Sequence, residues 1–156
     1  MIREAATLIM TIPMKSSSFP GNYGALMMRR TANASFMPNS SVFPGGAIAS
    51  TDSQEKWLTK LTQKQINSTL PKVKNAKRPP MFQNKDDEID RNVSLRISAI
   101  RETFEESGIL ILRKNNELID KSSLPNKSEL KIWRKECEKD SSKFYEMCCE
   151  LGLGLI

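Results

Sequence analysis

Arg101-Glu102-Thr103-Phe104-Glu105-Glu106-Ser107-Gly108-Ile109 places three carboxylates within five positions and closes them with a glycine. At roughly 100° per residue, taking Glu102 as zero, Glu105 falls near ~300° and Glu106 near ~40°, while Ile97, Ile100 and Phe104 cluster at roughly 160–220°. An acidic face then lies opposite an apolar one. Three carboxylates on a rigid turn suit a hard divalent cation such as Mg²⁺ or Mn²⁺, and such cations suit phosphate chemistry. The segment points to hydrolysis of a phosphoanhydride.

A solvated helix face also carries glutamates at i, i+3 and i+4, usually with lysines nearby to relieve their repulsion. No lysine lies between Arg101 and Leu112. A chance match to the Arg, Glu, Glu, Glu, Gly letters at these spacings is on the order of one in 10⁴ for a chain of this length. The chain contains no histidine, which excludes Ser-His-Asp triads, Cys-His dyads, histidine zinc sites and imidazole acid/base catalysis. Any catalysis falls to carboxylates and metal. Cys137, Cys148 and Cys149 are an odd number with a vicinal pair, which favours a reducing compartment and a role as small apolar residues on a helix.

The segment resembles the second half of the Nudix box, G-x5-E-x7-R-E-U-x-E-E-x-G-U with U a bulky aliphatic. Arg101, Glu102, Glu105, Glu106, Gly108 and Ile109 match, and Thr103 stands where an aliphatic is usual. Phe43-Pro44-Gly45-Gly46 is similar to the entrance of the box, but Arg101 follows Gly46 by 55 positions where an unbroken pattern has 14, so an insertion of about forty residues separates the halves. Such an insertion marks the acyl-coenzyme A diphosphatase branch. Glu4-Ala5-Ala6-Thr7, Met28-Arg29-Arg30-Thr31 and Ser35-Phe36-Met37-Pro38 resemble that branch too.

The likeness implies a Nudix domain over residues 3–152, with an insertion at 51–91, and an α/β/α sandwich around a mixed sheet. It implies Glu102, Glu105 and Glu106 as ligands to Mg²⁺ or Mn²⁺, Glu105 also serving either as a further ligand or to position the attacking water, and Arg101 holding the carboxylates in register. Arg30, Gly45 and Gly46 would bind substrate. The first box glutamate falls at Asp52 counted from Gly46, or at Val93 counted back from Arg101. Members of the branch are longer than 156 residues, so the chain reads as cut short and its sheet as incomplete.

Along the chain, residues 5–14 and 23–30 read as strands, Val42-Phe43 leads into a Pro-Gly-Gly turn, and residues 54–66 carry Trp57, Leu58, Leu61 and Ile66 at helical spacing. Residues 71–91 are nearly free of aliphatics and contain Pro71, Pro79 and Pro80, the pattern of a mobile loop, whose stretch 85–90 reads as an acidic patch or an outer metal ligand. Asn92 or Ser94 would cap the carboxylate helix and Gly108 end it. Residues 109–112 and 117–119 read as strands about a turn at Asn115-Asn116, and 127–151 as two helices broken near Asp140-Ser141-Ser142.

These readings converge on a metal-dependent diphosphatase of coenzyme A and acyl-coenzyme A, giving 3′,5′-adenosine bisphosphate and (acyl-)phosphopantetheine. Another nucleoside diphosphate derivative, or a non-catalytic nucleotide-binding module, is the alternative. The balance of 24 basic and 18 acidic residues, +6, attracts any polyanion and selects none; the motif leads us to expect no nucleic-acid partner. No apolar run approaches the roughly 18 residues of a membrane span. The composition suits an intracellular protein, peroxisomal by the resemblance; Gly154-Leu155-Ile156 does not resemble a Ser-Lys-Leu address, which leaves cytoplasm or mitochondrion open.

Overall fold

The computed structural model describes residues 4–14, 22–35, 37–62, 83, 88–114, 117–119 and 124–155. At its centre is α1, Arg91–Ser107, whose Val93, Ile97, Ile100 and Phe104 recur at helical spacing and are all buried. Burying a side chain of this size contributes about 1.5–3 kcal/mol, so this stripe is what commits the segment to a fixed place. Asp90, and neither Asn92 nor Ser94, is the N-cap: its carboxylate accepts a hydrogen bond from the Asn92 N–H at 2.9 Å. Asn92 and Ser94 already lie inside the first turn, where a cap cannot form. At the other end Gly108 takes φ 74°, a left-handed cap that suits glycine, and its N–H reaches the Phe104 carbonyl at 2.8 Å.

One side of α1 packs on strand β1, Ala5–Thr7, and β6, Gly45–Ala47, which pair antiparallel with Thr7 opposite Gly45 and Ala6 opposite Gly46. Gly45 and Gly46 therefore lie in a strand and not in the expected turn, with a bend only at Pro44. The 5–14 and 23–30 runs each divide in two. β2, Thr11–Pro13, pairs β3, Tyr23–Ala25, while β4, Met28–Arg29, pairs β5, Ser41–Val42. After α1 the chain adds β7, Leu112–Lys114, with β8, Glu117–Leu118, on one edge and β9, Gly154–Leu155, on the other. Every ladder among the described residues is antiparallel, so the mixed character expected of the sheet is not found among them. β9 was not foreseen, although Leu153 and Leu155 bury almost completely in the core.

The two expected C-terminal helices are present as α2, Lys127–Lys139, and α3, Ser142–Glu150. Phe144 of α3 meets Phe104 of α1 with ring centres 6.0 Å apart and Trp57 at 5.8 Å, joining both helices to the segment after β6. Cys137 and Cys148 lie in this core, where burial pushes each thiol up to about 12, so both act as small apolar residues.

The insertion folds at its edges. Residues Ser50–Ser53 and Glu55–Lys60 form two short 3₁₀ turns; of the helix expected over 54–66, residues 63–66 fall outside the described residues. Trp57 is buried and donates its indole N–H to the Thr51 carbonyl at 2.8 Å. The chain returns where the Ile89 N–H meets the Ser53 carbonyl at 3.1 Å, which brings the two halves of the interrupted motif together. The expected mobile loop at 71–91 falls outside the described residues except at 83 and 88–91. No described helix is long and apolar enough to cross a membrane.

Candidate active site

Register explains how strand and helix meet. The bonds from Leu8 N–H to Pro44 carbonyl and from Ile48 N–H to Glu4 carbonyl set residues 44, 46 and 48 to bond β1, so Gly45 and Ala47 point their backbone groups to the opposite edge. No strand covers that edge among the described residues. Side chains of α1 do so: Glu106 Oε2 accepts from the Gly45 N–H at 3.0 Å, and Arg101 Nη2 donates to the Ala47 carbonyl at 3.2 Å. Gly46 lies under Glu102 so closely that a Cβ there would stand 2.4 Å from Oε2. Gly45 has φ 151°, and a Cβ on it would meet the Ala6 carbonyl at 2.3 Å. Both glycines are required by approach.

Arg101 is the hub. Its Nε and Nη2 each lie 2.9 Å from the two oxygens of Asp52, and Nη1 lies 2.9 Å from both Glu105 Oε1 and Glu102 Oε1. Asp52 in turn accepts from the Ala49 N–H at 2.9 Å. Burial alone would lower the guanidinium pKa, but the bonds and charges of Asp52 and then Glu105 carry it above its ordinary value, so it is a permanent cation. Of the two positions open for the first box carboxylate, the structure places Asp52 at the hub. Val93 belongs to the core.

The carboxylates are crowded. Burial lifts Glu105 to about 7 against the opposing pull of Arg101, with the charges of Glu102 and Asp52 adding; Glu102 is raised by burial first, with Glu106 and Asp52 adding. Among the described residues no three acidic or cysteine side chains stand close enough to hold a cation between them. Glu105 turns toward Arg101, and Glu102 and Glu106, one turn apart, remain against the glycine strand. Two hard oxygen donors fit Mg²⁺ or Mn²⁺, since Mg²⁺ is commonly held by one or two carboxylates with water and substrate phosphate completing its shell.

Thr103, the departure from the motif, is fully buried and donates its hydroxyl to the Ala99 carbonyl at 2.7 Å, so its polar atom is satisfied inside the apolar face. Arg134 was not foreseen. From α2 it donates Nε to the Glu105 carbonyl at 2.6 Å and Nη2 to the Glu106 carbonyl at 2.5 Å, holding the last turn of the carboxylate helix. A cation at a helix C-terminus is favourable, but nothing in the spacing of Arg134 says which helix it serves.

Arg30 shares with Glu106 a recess of about 280 Å³ that Met28, Arg29, Thr31 and Val42 also line. Its Nε is buried with no hydrogen-bond partner among the described residues.

Residues 2–154 match the family model described as NUDT19 Nudix domain, and the chain therefore belongs to the Nudix hydrolase family in its NUDT19 branch. It is similar to the acyl-coenzyme A diphosphatase NUDT19 of Xenopus laevis, 33% identical over 96% of this chain and 47% of that protein. The Gallus gallus protein of the same name is 31% identical over 96% of this chain and 45% of its own length; the Homo sapiens protein is 26% identical over 81% and 38%. The chain spans about half the length of these relatives. A crystal structure of a NUDIX hydrolase from Alicyclobacillus acidocaldarius superposes with TM-score 0.63 at 23% identity, over 99% of this chain and 56% of that one, which shows the α/β Nudix fold.

Proposed function

We propose that this site hydrolyses the diphosphate bond of coenzyme A and acyl-coenzyme A, giving 3′,5′-adenosine bisphosphate and phosphopantetheine or its acyl form. The observation that carries the reading is the recess between Arg30 and Glu106. A diphosphate seated there would meet the Arg29 and Arg30 side chains and the Glu106 carboxylate, the pairing that a cation-bridged phosphoanhydride needs. The unpartnered Nε of Arg30 is then a donor waiting for a phosphate oxygen. Relatives named for acyl-coenzyme A diphosphatase activity support the choice of substrate.

Glu102 and Glu106 would hold Mg²⁺ or Mn²⁺. When bound, the cation supplies charge to offset the phosphates and lowers the pKa of water. Arg101, anchored on Asp52, keeps Glu102 and Glu105 from splaying apart. Glu105, lifted to about 7, is suited to take a proton from the attacking water near neutral pH. Gly45 and Gly46 let the strand approach the carboxylates without a side chain between them. A peroxisomal setting is part of the same proposal.

Incubation with coenzyme A, ADP-ribose and a dinucleoside polyphosphate, each with Mg²⁺ or Mn²⁺, tests the reading by mass spectrometry of products. Release of 3′,5′-adenosine bisphosphate in preference to the other products supports it. Preference for another diphosphate would reassign the substrate, and no release from any would leave a binding module.

A further inference from the structure

From Tyr23 to Arg30 exposure alternates residue by residue without a slip, so Gly24, Leu26, Met28 and Arg30 share one face of the chain. Met28 and Arg30 line the recess beside Glu106. Ile12 pairs opposite Gly24, and the Leu26 N–H reaches the Met10 carbonyl at 2.9 Å, which brings Met10 and Ile12 onto the same face. Met14 joins them, since a Cβ on Gly24 would stand 3.1 Å from its Sδ. An apolar strip therefore runs from the recess along β3 and β2, and none of its own residues after Arg30 is charged. Among the described residues, Met10, Ile12, Met14, Leu26 and Met28 neither belong to the core nor pack against it. Ile12 is 52% exposed and Met14 40%.

We propose that this strip carries the pantetheine and acyl arm of the substrate, so that a linear acyl-coenzyme A binds better than coenzyme A itself. The inference rests on the coenzyme A reading of the site and adds to it where the arm lies and which form is preferred. The recess, about 280 Å³, is smaller than the roughly 300–1,000 Å³ of sites that enclose a drug-sized ligand, so a diphosphate fills it and both arms must leave. The adenosine arm bears a further phosphate and asks for cations, which the strip lacks. The pantetheine arm is uncharged and extended, and its acyl end is apolar. From Arg30 back to Asn22, whose carbonyl accepts from the Met14 N–H at 2.9 Å, the face is on the order of 25 Å long at ~3.3 Å per residue. That is room for an extended pantetheine with part of an acyl chain beyond it. Met10, Met14 and Met28 supply unbranched thioethers, which adapt to chains of different shape.

Equilibrium binding in a chelator, where no turnover intervenes, tests it with coenzyme A, acetyl-coenzyme A and octanoyl-coenzyme A on the 156-residue chain. Burying a whole methylene is worth roughly fourfold in affinity, so on this half-open face octanoyl-coenzyme A should bind at least about tenfold tighter than coenzyme A, with the acetyl form close to coenzyme A. Ile12→Asp places a charge on the strip and should bring octanoyl-coenzyme A down to the affinity of coenzyme A. Ile9→Asp, exposed on the opposite face, should keep the tenfold gain. Coenzyme A and octanoyl-coenzyme A binding equally would overturn this inference and leave the substrate reading standing, whereas binding of neither would overturn both. Equal loss of the gain in Ile9→Asp and Ile12→Asp would place the acyl chain elsewhere and overturn it too. So would a concentration-dependent dimer that Ile12→Asp abolishes and octanoyl-coenzyme A does not disperse, which would make a second copy the occupant.

Discussion

Asp52 and Arg101, 49 positions apart, form a two-bond ion pair, Oδ1 to Nε and Oδ2 to Nη2 both at 2.9 Å, with each side chain almost wholly buried. The pair closes the interrupted motif: Asp52 arrives on the first 3₁₀ turn after β6 and Arg101 on α1.

Removing one partner of such a pair strands the other's charge. Asp52→Ala should lower stability by about 3 kcal/mol, toward the lower end for a buried pair because Glu102 and Glu105 also face the guanidinium. Urea denaturation checks it. A loss below about 0.5 kcal/mol would place the pair in water, where exposed ion pairs contribute little.

The two glycines of β6 should fail in different ways. Gly46→Ala puts its Cβ against the end of a flexible side chain, Glu102, so melting should hardly move while turnover falls at least about tenfold through displacement of a ligand. Gly45→Ala presses on the Ala6 backbone from a φ of 151° and should destabilise the fold itself. Paired thermal melts and rates separate the two outcomes.

Arg134 holds the last carbonyls of the carboxylate helix from another helix. Arg134→Met should cost about 1–3 kcal/mol, the range for hydrogen bonds from a charged donor, and should raise the Mg²⁺ concentration needed for half-maximal turnover. Arg134→Lys, which keeps the charge without the fork, should recover only part of either effect.

The carboxylate cluster predicts an inverted pH response in metal-free protein. Glu105 is lifted from 4.5 to about 7 and Glu102 is also raised, so between those values the folded chain binds more protons than the unfolded one. Stability must then fall as pH rises through about 4.5 to 7, with a contribution from Glu105 on the order of 1 kcal/mol after solvent screening. Melts in a chelator should show the fall, Glu105→Gln should flatten it, and Mg²⁺ added at pH 8 should restore stability through binding to the folded state.

The carboxylate helix was legible because its signal is local: apolar spacing at 97, 100 and 104, a terminal glycine, and three glutamates on the other face. The break between α2 and α3 was local too, at Asp140 to Ser142. The partner of Arg101 was not, since counting along the chain offers both Asp52 and Val93, and only the fold sets Asp52 against the guanidinium and Val93 in the core. Strand boundaries were missed for a similar reason. The 5–14 and 23–30 runs are largely apolar with no internal break signal, and which part of each pairs depends on partners elsewhere in the chain. β9 comprises two residues, too few to show periodicity. Arg134 carries no pattern that points to α1, and its role emerges only when α2 is laid beside the end of that helix.

In the proposed reaction the α1 carboxylates, through a bound divalent cation, cleave the diphosphate of coenzyme A. Its most direct test compares wild type with Glu106→Gln for coenzyme A turnover across a Mg²⁺ titration, with thermal melting recorded alongside. Glu106 faces the recess, and its Oε2 accepts from the Gly45 N–H, a bond the glutamine carbonyl can keep. Turnover should require Mg²⁺ in the wild type and fall by roughly 10²-fold or more in the variant, with melting nearly unchanged. Equal turnover of the two proteins at saturating Mg²⁺ would contradict the account.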